Sequence, residues 1–231
     1  MVILALDTTT DIGSVALLCN EVVRGYYVGN AEVPHGRRLP GDVIRLLERQ
    51  NISIKDIDLY AVATGPGALT GLRVGIATVQ GLAMANSKRV VAVSALNALA
   101  LAARMSHSVP DIDSVGVLMD AHRGEVFSGL FGGIGDGGRE AYGEILESPS
   151  VGTIEETLMR WRSLVEPGRL WLVGNGALAS RGRTNIVEPG RFIEPTPLIA
   201  PALGMIAAKK VTTALDPGQV KPLYIRPPDA V

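Results

Sequence analysis

Residues Thr64 to Ala85, TGPGALTGLRVGIATVQGLAMA, are apolar where a catalytic loop would be polar, and no other stretch restricts the architecture as much. A short apolar strand, Ala61 to Ala63, runs into a glycine-proline turn that opens a helix. Leu72, Ile76, Val79 and Ala83 form one stripe at helical spacing. Val74, Ala77, Gly81 and Met84 form a second, and Gly71, Gly75, Leu82 and Ala85 lie largely on a third. A surface helix has one apolar stripe, so a helix apolar on most sides must be covered on most sides. One cover is the parent sheet; the other is a neighbouring helix or a partner chain. Glycine inside a helix costs ~1 kcal/mol against alanine. Gly71, Gly75 and Gly81 therefore point to close approach of the backbone to something.

The turn itself resembles a phosphate loop without being one. Such a loop needs a lysine for the outer phosphates and a Ser or Thr for magnesium. In Gly65-Pro66-Gly67-Ala68-Leu69-Thr70-Gly71 the hydroxyl is present, but Leu69 stands where the cation belongs. The dinucleotide pattern G-x-G-x-x-G fails as well, at Thr70. What remains is a structural turn over Gly65, Pro66, Gly67, Thr70 and Gly71, with a glycine supplying unusual backbone angles and Pro66 fixing one. The N–H groups at the helix start are an alternative anion site.

With 22 basic and 23 acidic residues in 231, the chain has a net charge of −1, which gives no reason to expect direct, strong nucleic-acid binding. A hydrophobic fraction of 47% describes an ordered globular protein, one large domain or two small ones. The single cysteine, Cys19, allows no internal disulfide, fits a reducing cytosol and is expected in the core. The apolar start Met1 to Leu6 meets Asp7 before a leader sequence could develop. The longest nearly apolar run, Val90 to Ala103, is shorter than the ~20 residues a spanning helix requires. A soluble, cytoplasmic protein with no membrane partner is expected.

The order of elements repeats. Val2 to Leu6 is a strand ended by Asp7-Thr8-Thr9-Thr10; Gly13 to Cys19 and Val22 to Val28 are strands joined by a tight Asn20-Glu21 turn. A helix follows over Arg37 to Gln50, with Pro40 in its first turn, then a strand at Ile57 to Ala63 and the helix Thr70 to Asn86. Arg89 to Val93 is a further strand, and Ser94 is expected to cap a helix reaching Met105. Beyond the polar stretch Ser106 to Ser114 the series restarts. Strands are expected at Val115 to Met119, Glu125 to Phe131, Glu140 to Leu146 and Leu170 to Val173, with helices at Thr153 to Arg162 and Leu198 to Val211. Asp7 and Asp120 each end a first strand. The predicted fold is α/β: a duplicated ribonuclease-H-like, actin-like (ASKHA) fold of two three-layer α/β subdomains, residues 1–105 and 106–231.

The segments ILALDTTTDIGSVAL, GPGALTGLRVGIATVQGLA, DAHRGEVF and the terminal PLYIR resemble the bacterial TsaB (YeaZ) proteins across nearly the whole chain. The family pattern at the turn is close to GPGSFTGLRIG, with conservative changes here at Ala68, Leu69 and Val74. The resemblance implies a subunit, not itself catalytic, of the machinery that makes N6-threonylcarbamoyladenosine at position 37 of tRNAs reading codons that begin with A. It implies a heterodimer with the catalytic paralogue TsaD, scaffolding and activating it, with the ATPase TsaE joining them and tRNA reached through the complex. The over-apolar helix suggests a homodimer when the chain is isolated. His35, Arg38, Leu39, Asp42 and Arg45 on the first helix, with Leu72, Arg73, Gly75, Ile76 and Val79 on the second, are the expected partner interface.

The catalytic paralogue carries a His-x-x-x-His metal pair. Here the matching place is His35-Gly36-Arg37-Arg38-Leu39, and one imidazole beside an isobutyl group cannot share a metal. His107 and His122 have no ligand-spaced neighbours, so no metal site is expected. Asp7, Thr8 and Thr9 resemble the first phosphate loop of actin-like ATPases, Asp120 with Gly124 the second, and Gly174 and Gly176 the adenosine loop. No cofactor is expected to be required; any nucleotide would be weakly held ATP or ADP with magnesium, in an otherwise degenerate cleft. Asp120 and Glu125 can also be read as general acid and base, or as a solvated turn. Two other readings stay open: a stand-alone actin-like ATPase or kinase, and an M22-type metallopeptidase.

Overall fold

The structure is a computed structural model describing residues 1–106, 109–134, 140–181, 191–194 and 198–226. The chain divides into two compact units: residues 1–98 with 198–224, and residues 99–197 with 225–231. The division differs from the expected cut after residue 105. It falls inside a helix, and the last helix and the segment after it return to the first unit.

The first unit is built on five strands: β1 (Val2–Asp7), β2 (Ser14–Cys19), β3 (Val22–Val28), β4 (Leu59–Gly65) and β5 (Arg89–Ser94). They lie in the order β3-β2-β1-β4-β5, with β1, β4 and β5 parallel and the β1-β2-β3 meander antiparallel. β1 and β4 are uninterrupted apolar runs because both of their faces are covered. On one face Leu4, Leu6, Val15, Leu17 and Val62 pack against helices α1 (His35–Gln50) and α2 (Leu69–Ala85), through Leu39, Val43, Leu46, Ile76 and Val79. Alternation along the strands places Leu18 on the other face, where α6 (Ile199–Lys209) comes so close that a Cβ on Gly204 would stand 2.2 Å from Leu18 Cδ1. The chain then pairs Leu215 with Val90 and donates Leu223 N–H to Thr64 O at 2.7 Å. Gln80 on α2 fastens this segment by donating to Pro217 O (2.9 Å) and Val220 O (3.2 Å).

Local turn chemistry explains several boundaries. Asn20 (φ 47°) and Glu21 (φ 67°) are both left-handed, as a two-residue turn between twisted antiparallel strands requires. Helix α1 begins two residues earlier than expected, so Pro40 lies beyond its first turn, on the exposed side. Ser94 is no helix cap: it ends β5, and its hydroxyl is buried without a hydrogen-bond partner. Cys19, expected in the core, closes β2 half-buried.

The second unit repeats the strand plan. β6 (Ser114–Asp120), β7 (Glu125–Phe131), β8 (Ile145–Thr153) and β9 (Leu170–Val173) lie in the order β8-β7-β6-β9, with β6 antiparallel to β7 and parallel to β9. This matches β3-β2-β1-β4 strand for strand, so the duplication inferred from element order is real. Helix α3 (Ala95–Ser106) straddles the division between units; α4 (Ile154–Trp161) and α5 (Asn175–Ser180) belong to the second. Thr153 caps α4 in a reciprocal capping box with Glu156. The strand expected at Glu140 to Leu146 is displaced to Ile145–Thr153. Gly143 (φ 97°) closes a turn on Glu140 instead, and the true strand is a polar edge. Hydroxyl and carboxylate contacts, Ser128 with Ser150 (2.9 Å) and Ser150 with Glu147 (3.0 Å), hold it in place of apolar packing.

Candidate functional site

In the first unit, the end of β1 and the start of α2 are riveted together. Asp7 Oδ1 accepts from Thr9 N (3.0 Å) and Thr9 Oγ1 (2.7 Å), and all three residues Asp7, Thr8 and Thr9 are buried. Thr8 Oγ1 donates to Gly71 O at 2.8 Å, and Ala68 N–H donates to Thr9 O at 2.9 Å. A Cβ on Gly71 would meet Thr8 O at 2.2 Å, one on Gly75 Thr8 Oγ1 at 2.1 Å, and one on Gly67 Thr9 O at 2.4 Å. Gly67 and Gly71 thus admit the backbone of Thr9 and Thr8, and Gly75 the Thr8 side chain, all of their own unit. Gly81 differs: a Cβ there would meet nothing within 4 Å. Gly65, joined to Pro66 by a cis bond, faces Leu223 O, and Thr70 is exposed. Burial pushes the Asp7 carboxyl upward, opposed by its two bonds from Thr9 and by Arg38.

The expected interface residues are divided by the structure, and most of them face inward. Leu39, Asp42, Leu72, Gly75, Ile76 and Val79 are buried in the first unit itself. Arg73 and Arg45 are exposed, Arg45 with its guanidinium over the Tyr27 ring. His35 and Arg38 turn toward the β1–β2 connection. His35 Nε2 bonds Thr10 O (2.8 Å) and its Nδ1 accepts from Arg38 Nη2 (2.8 Å). Arg38 also donates to Val33 O (3.2 Å), to Ile12 O and, through Nη1, to Asp42 Oδ2 (2.6 Å). The apolar positions left outward on these helices include Ile44 (55% exposed), Leu69, Ala77, Gly81, Met84 (58%) and Ala85. Ala77, Gly81 and Met84 belong to the second stripe of the sequence, the first being the one that faces the sheet. Spacing defines stripes but not which of them meets the sheet.

His35 is held as a neutral imidazole, because Arg38 donates to its Nδ1. Burial depresses its pKa, with Arg38 adding to the effect and the Thr10 bond, Asp11 and Asp42 opposing it. With the folded value below the unfolded ~6.5, the contribution to stability is complete above pH ~6.5 and is lost as pH falls through the folded value. The stability difference between the wild type and His35→Gln is therefore expected to shrink from pH 7.5 to pH 5, as urea titrations at each pH will show. A constant difference would mean that the ring does not titrate against this network.

In the second unit, Asp120, Gly124, Gly174 and Gly176 gather at the end of β6. Asn175 Oδ1 accepts from Asp120 N at 3.0 Å, and Asp120 Oδ1 accepts from His122 N at 2.8 Å. Gly174 and Gly176 let the start of α5 approach β6, where a Cβ would stand 2.2 Å and 3.0 Å from Leu118 O respectively. Gly124 (φ 79°) faces open space. Asn175 makes the bond that joins the two loops; the flanking glycines of Gly-Asn-Gly were the only signal for it. Glu125, weighed above as an acid or base, is paired with Arg226. His122 is exposed 3.5 Å from Asp120, and His107 lies outside the described residues. Among the described residues no group of three or more His, Cys, Asp or Glu is placed to hold a metal, and no helix is long and apolar enough to cross a membrane.

Two sheets of matching strand order, each with an aspartate-bearing turn closing its first strand, define a duplicated actin-like α/β protein. The family model described as "TsaD: tRNA N6-adenosine threonylcarbamoyltransferase" matches residues 29–153, more than half of the chain. The tRNA threonylcarbamoyladenosine biosynthesis protein TsaB of Bacillus subtilis is 32% identical over 131 residues, 57% of this chain and 55% of that protein. The chain spans about half the length of the curated TsaB relatives it matches. Among solved structures, a Pseudomonas aeruginosa protein described as similar to peptidase YEAZ superposes with a TM-score of 0.80 at 28% identity, covering 97% of this chain and 99% of that one. YeaZ from the same organism gives a TM-score of 0.72 at 26% identity, covering 96% and 99%. The chain belongs to the TsaB (YeaZ) family, within the group that the TsaD model describes.

Proposed function

We propose that this chain is a non-catalytic subunit in the biosynthesis of N6-threonylcarbamoyladenosine at position 37 of tRNAs that read codons beginning with A. Its partner is a TsaD-type transferase, which it scaffolds and activates in the cytoplasm; a TsaE-type ATPase joins the pair, and tRNA is met through the assembly. The observation that carries this reading is the state of His35. Both ring nitrogens are engaged, by Thr10 O and by Arg38, and the residue one helical turn on is the buried Leu39. The Asp7 carboxylate is likewise engaged by Thr9, so a nucleotide in this unit would have to displace bonds already made. The outward stripe Leu69, Ala77, Gly81 and Met84 on α2, with Ile44 on α1, is the docking face for the transferase and for a second copy when the chain is alone.

Reconstituted tRNA modification with and without this chain tests the role: equal activity in its absence would reject a required partner. Ala77→Arg is expected to weaken binding to the transferase at least tenfold with an unchanged melting temperature, since Ala77 is exposed on α2. Wild-type affinity in that variant moves the docking face elsewhere. Sustained ATP turnover by the isolated chain, abolished in Asp7→Ala, would replace the whole reading with an actin-like ATPase.

A further inference from the structure

Two sequence motifs, DAHRGEVF and PLYIR, have no task in the function above, and Arg226, the last residue of the second, meets the first within the second unit. The connection from β6 to β7 places three successive residues in the left-handed region: His122 (φ 61°), Arg123 (φ 58°) and Gly124 (φ 79°). That backbone costs a residue with a side chain roughly 1–2 kcal/mol, so two of the three positions resist the shape they adopt. Local bonds oppose the resistance. Ala121 N–H donates to Glu125 O (3.0 Å), Glu125 N–H to His122 O (3.0 Å) and His122 N–H to the Asp120 carboxylate (2.8 Å).

A further clamp comes from about a hundred residues along the chain. The guanidinium of Arg226 donates through Nη1 to Ala121 O at 3.4 Å and through Nη2 to Glu125 Oε2, so it grips both residues that flank the left-handed run. Both side chains are partly buried, 27% and 34% exposed, which spares the pair much of the screening a surface ion pair suffers. The planar fork serves the carbonyl and the carboxylate from two separate nitrogens, whereas an ammonium would have to serve both from one atom.

We propose that Arg226 is a positioning residue that staples the β6–β7 turn, holding His122, Arg123 and Gly124 left-handed and thereby fixing the direction of the Asp120 carboxylate. The last arginine of PLYIR and the glutamate of DAHRGEVF are then two halves of one device. The proposal does not depend on the partner-subunit role, and its test needs neither transferase nor tRNA.

The test is amide hydrogen exchange on the isolated full-length chain. Arg226→Ala is expected to raise the exchange rates of the Ala121 and Glu125 amides at least tenfold, while Val117 in the interior of β6 keeps its rate. Glu125→Gln, which preserves volume, should act in the same direction by a smaller factor, and it supplies the readout if Arg226→Ala does not fold. Arg226→Lys is expected to recover less than half of the lost protection, and the exchange of charges, Arg226→Glu with Glu125→Arg, more than Lys does. Unchanged rates at Ala121 and Glu125, or a rise spread evenly over β6 and β7, would overturn the proposal.

Discussion

Gly75→Ala is expected to destabilise the first unit by about 2–3 kcal/mol, while Gly81→Ala, further along the same helix, stabilises it by up to about 1 kcal/mol. The two glycines are alike in sequence and opposite in surroundings. A methyl on Gly75 would stand 2.1 Å from Thr8 Oγ1, and rotating Thr8 does not remove the conflict, because Thr8 Cβ and Cγ2 are both 3.3 Å from the same point. Rotation would also break the 2.8 Å bond from Thr8 to Gly71 O. Relief therefore requires α2 to move off the end of β1, although Leu72 and Ile76 are buried on either side of Gly75. At Gly81 the same methyl meets nothing within 4 Å, and only the helix propensity of alanine is felt. Denaturant midpoints at unchanged slope measure both effects. Shifts of the same sign would show that α2 does not rest on Asp7–Thr9 as described.

Arg38→Met is expected to cost about 3 kcal/mol, the cost of leaving a buried carboxylate without its partner. Arg38 and Asp42 are 8% and 4% exposed, and their 2.6 Å contact is joined at 3.2 Å by Arg45, which is largely in solvent and replaces little of the lost charge. Methionine fills the stem of the arginine but satisfies neither Asp42 nor the carbonyls of Ile12 and Val33. Arg38→Met combined with Asp42→Leu should recover more than half of the loss, since removing both charges is far less costly than removing one. A double-mutant cycle gives the coupling directly. Additive single effects would show that the ion pair has no energetic weight.

Much of this fold was legible because buried strands and turns carry their own chemistry. β1 and β4 are apolar runs, Asn20-Glu21 is a turn of two left-handed residues, and β7 and β9 fall at their predicted bounds. The misplaced elements are those whose stability comes from far away. β8 is polar and is held by partners on β7 and α4, so nothing in its letters announces a strand. The return of α6 to the first unit is invisible locally, because Gly204 is informative only once Leu18 is known to lie beneath it. The site was legible in residue types and not in directions. Asp7, Thr8 and Asp120 were found where strands end, yet that Asp7 and Thr8 bond inward follows from a helix packed against them. Which stripe of α2 faces outward was not legible for the same reason, since the phase of α2 against the sheet depends on Thr8 and Gly75 meeting.

Because residues 198–224 complete the first unit, that unit cannot finish folding until they have been synthesised. The strands β1 to β5 exist early, but one side of their sheet stays bare until α6 has been synthesised, after every strand of the second unit. All four strands of the second unit are thus made while the earlier sheet still waits for its cover, its oily surface exposed to the crowded cell.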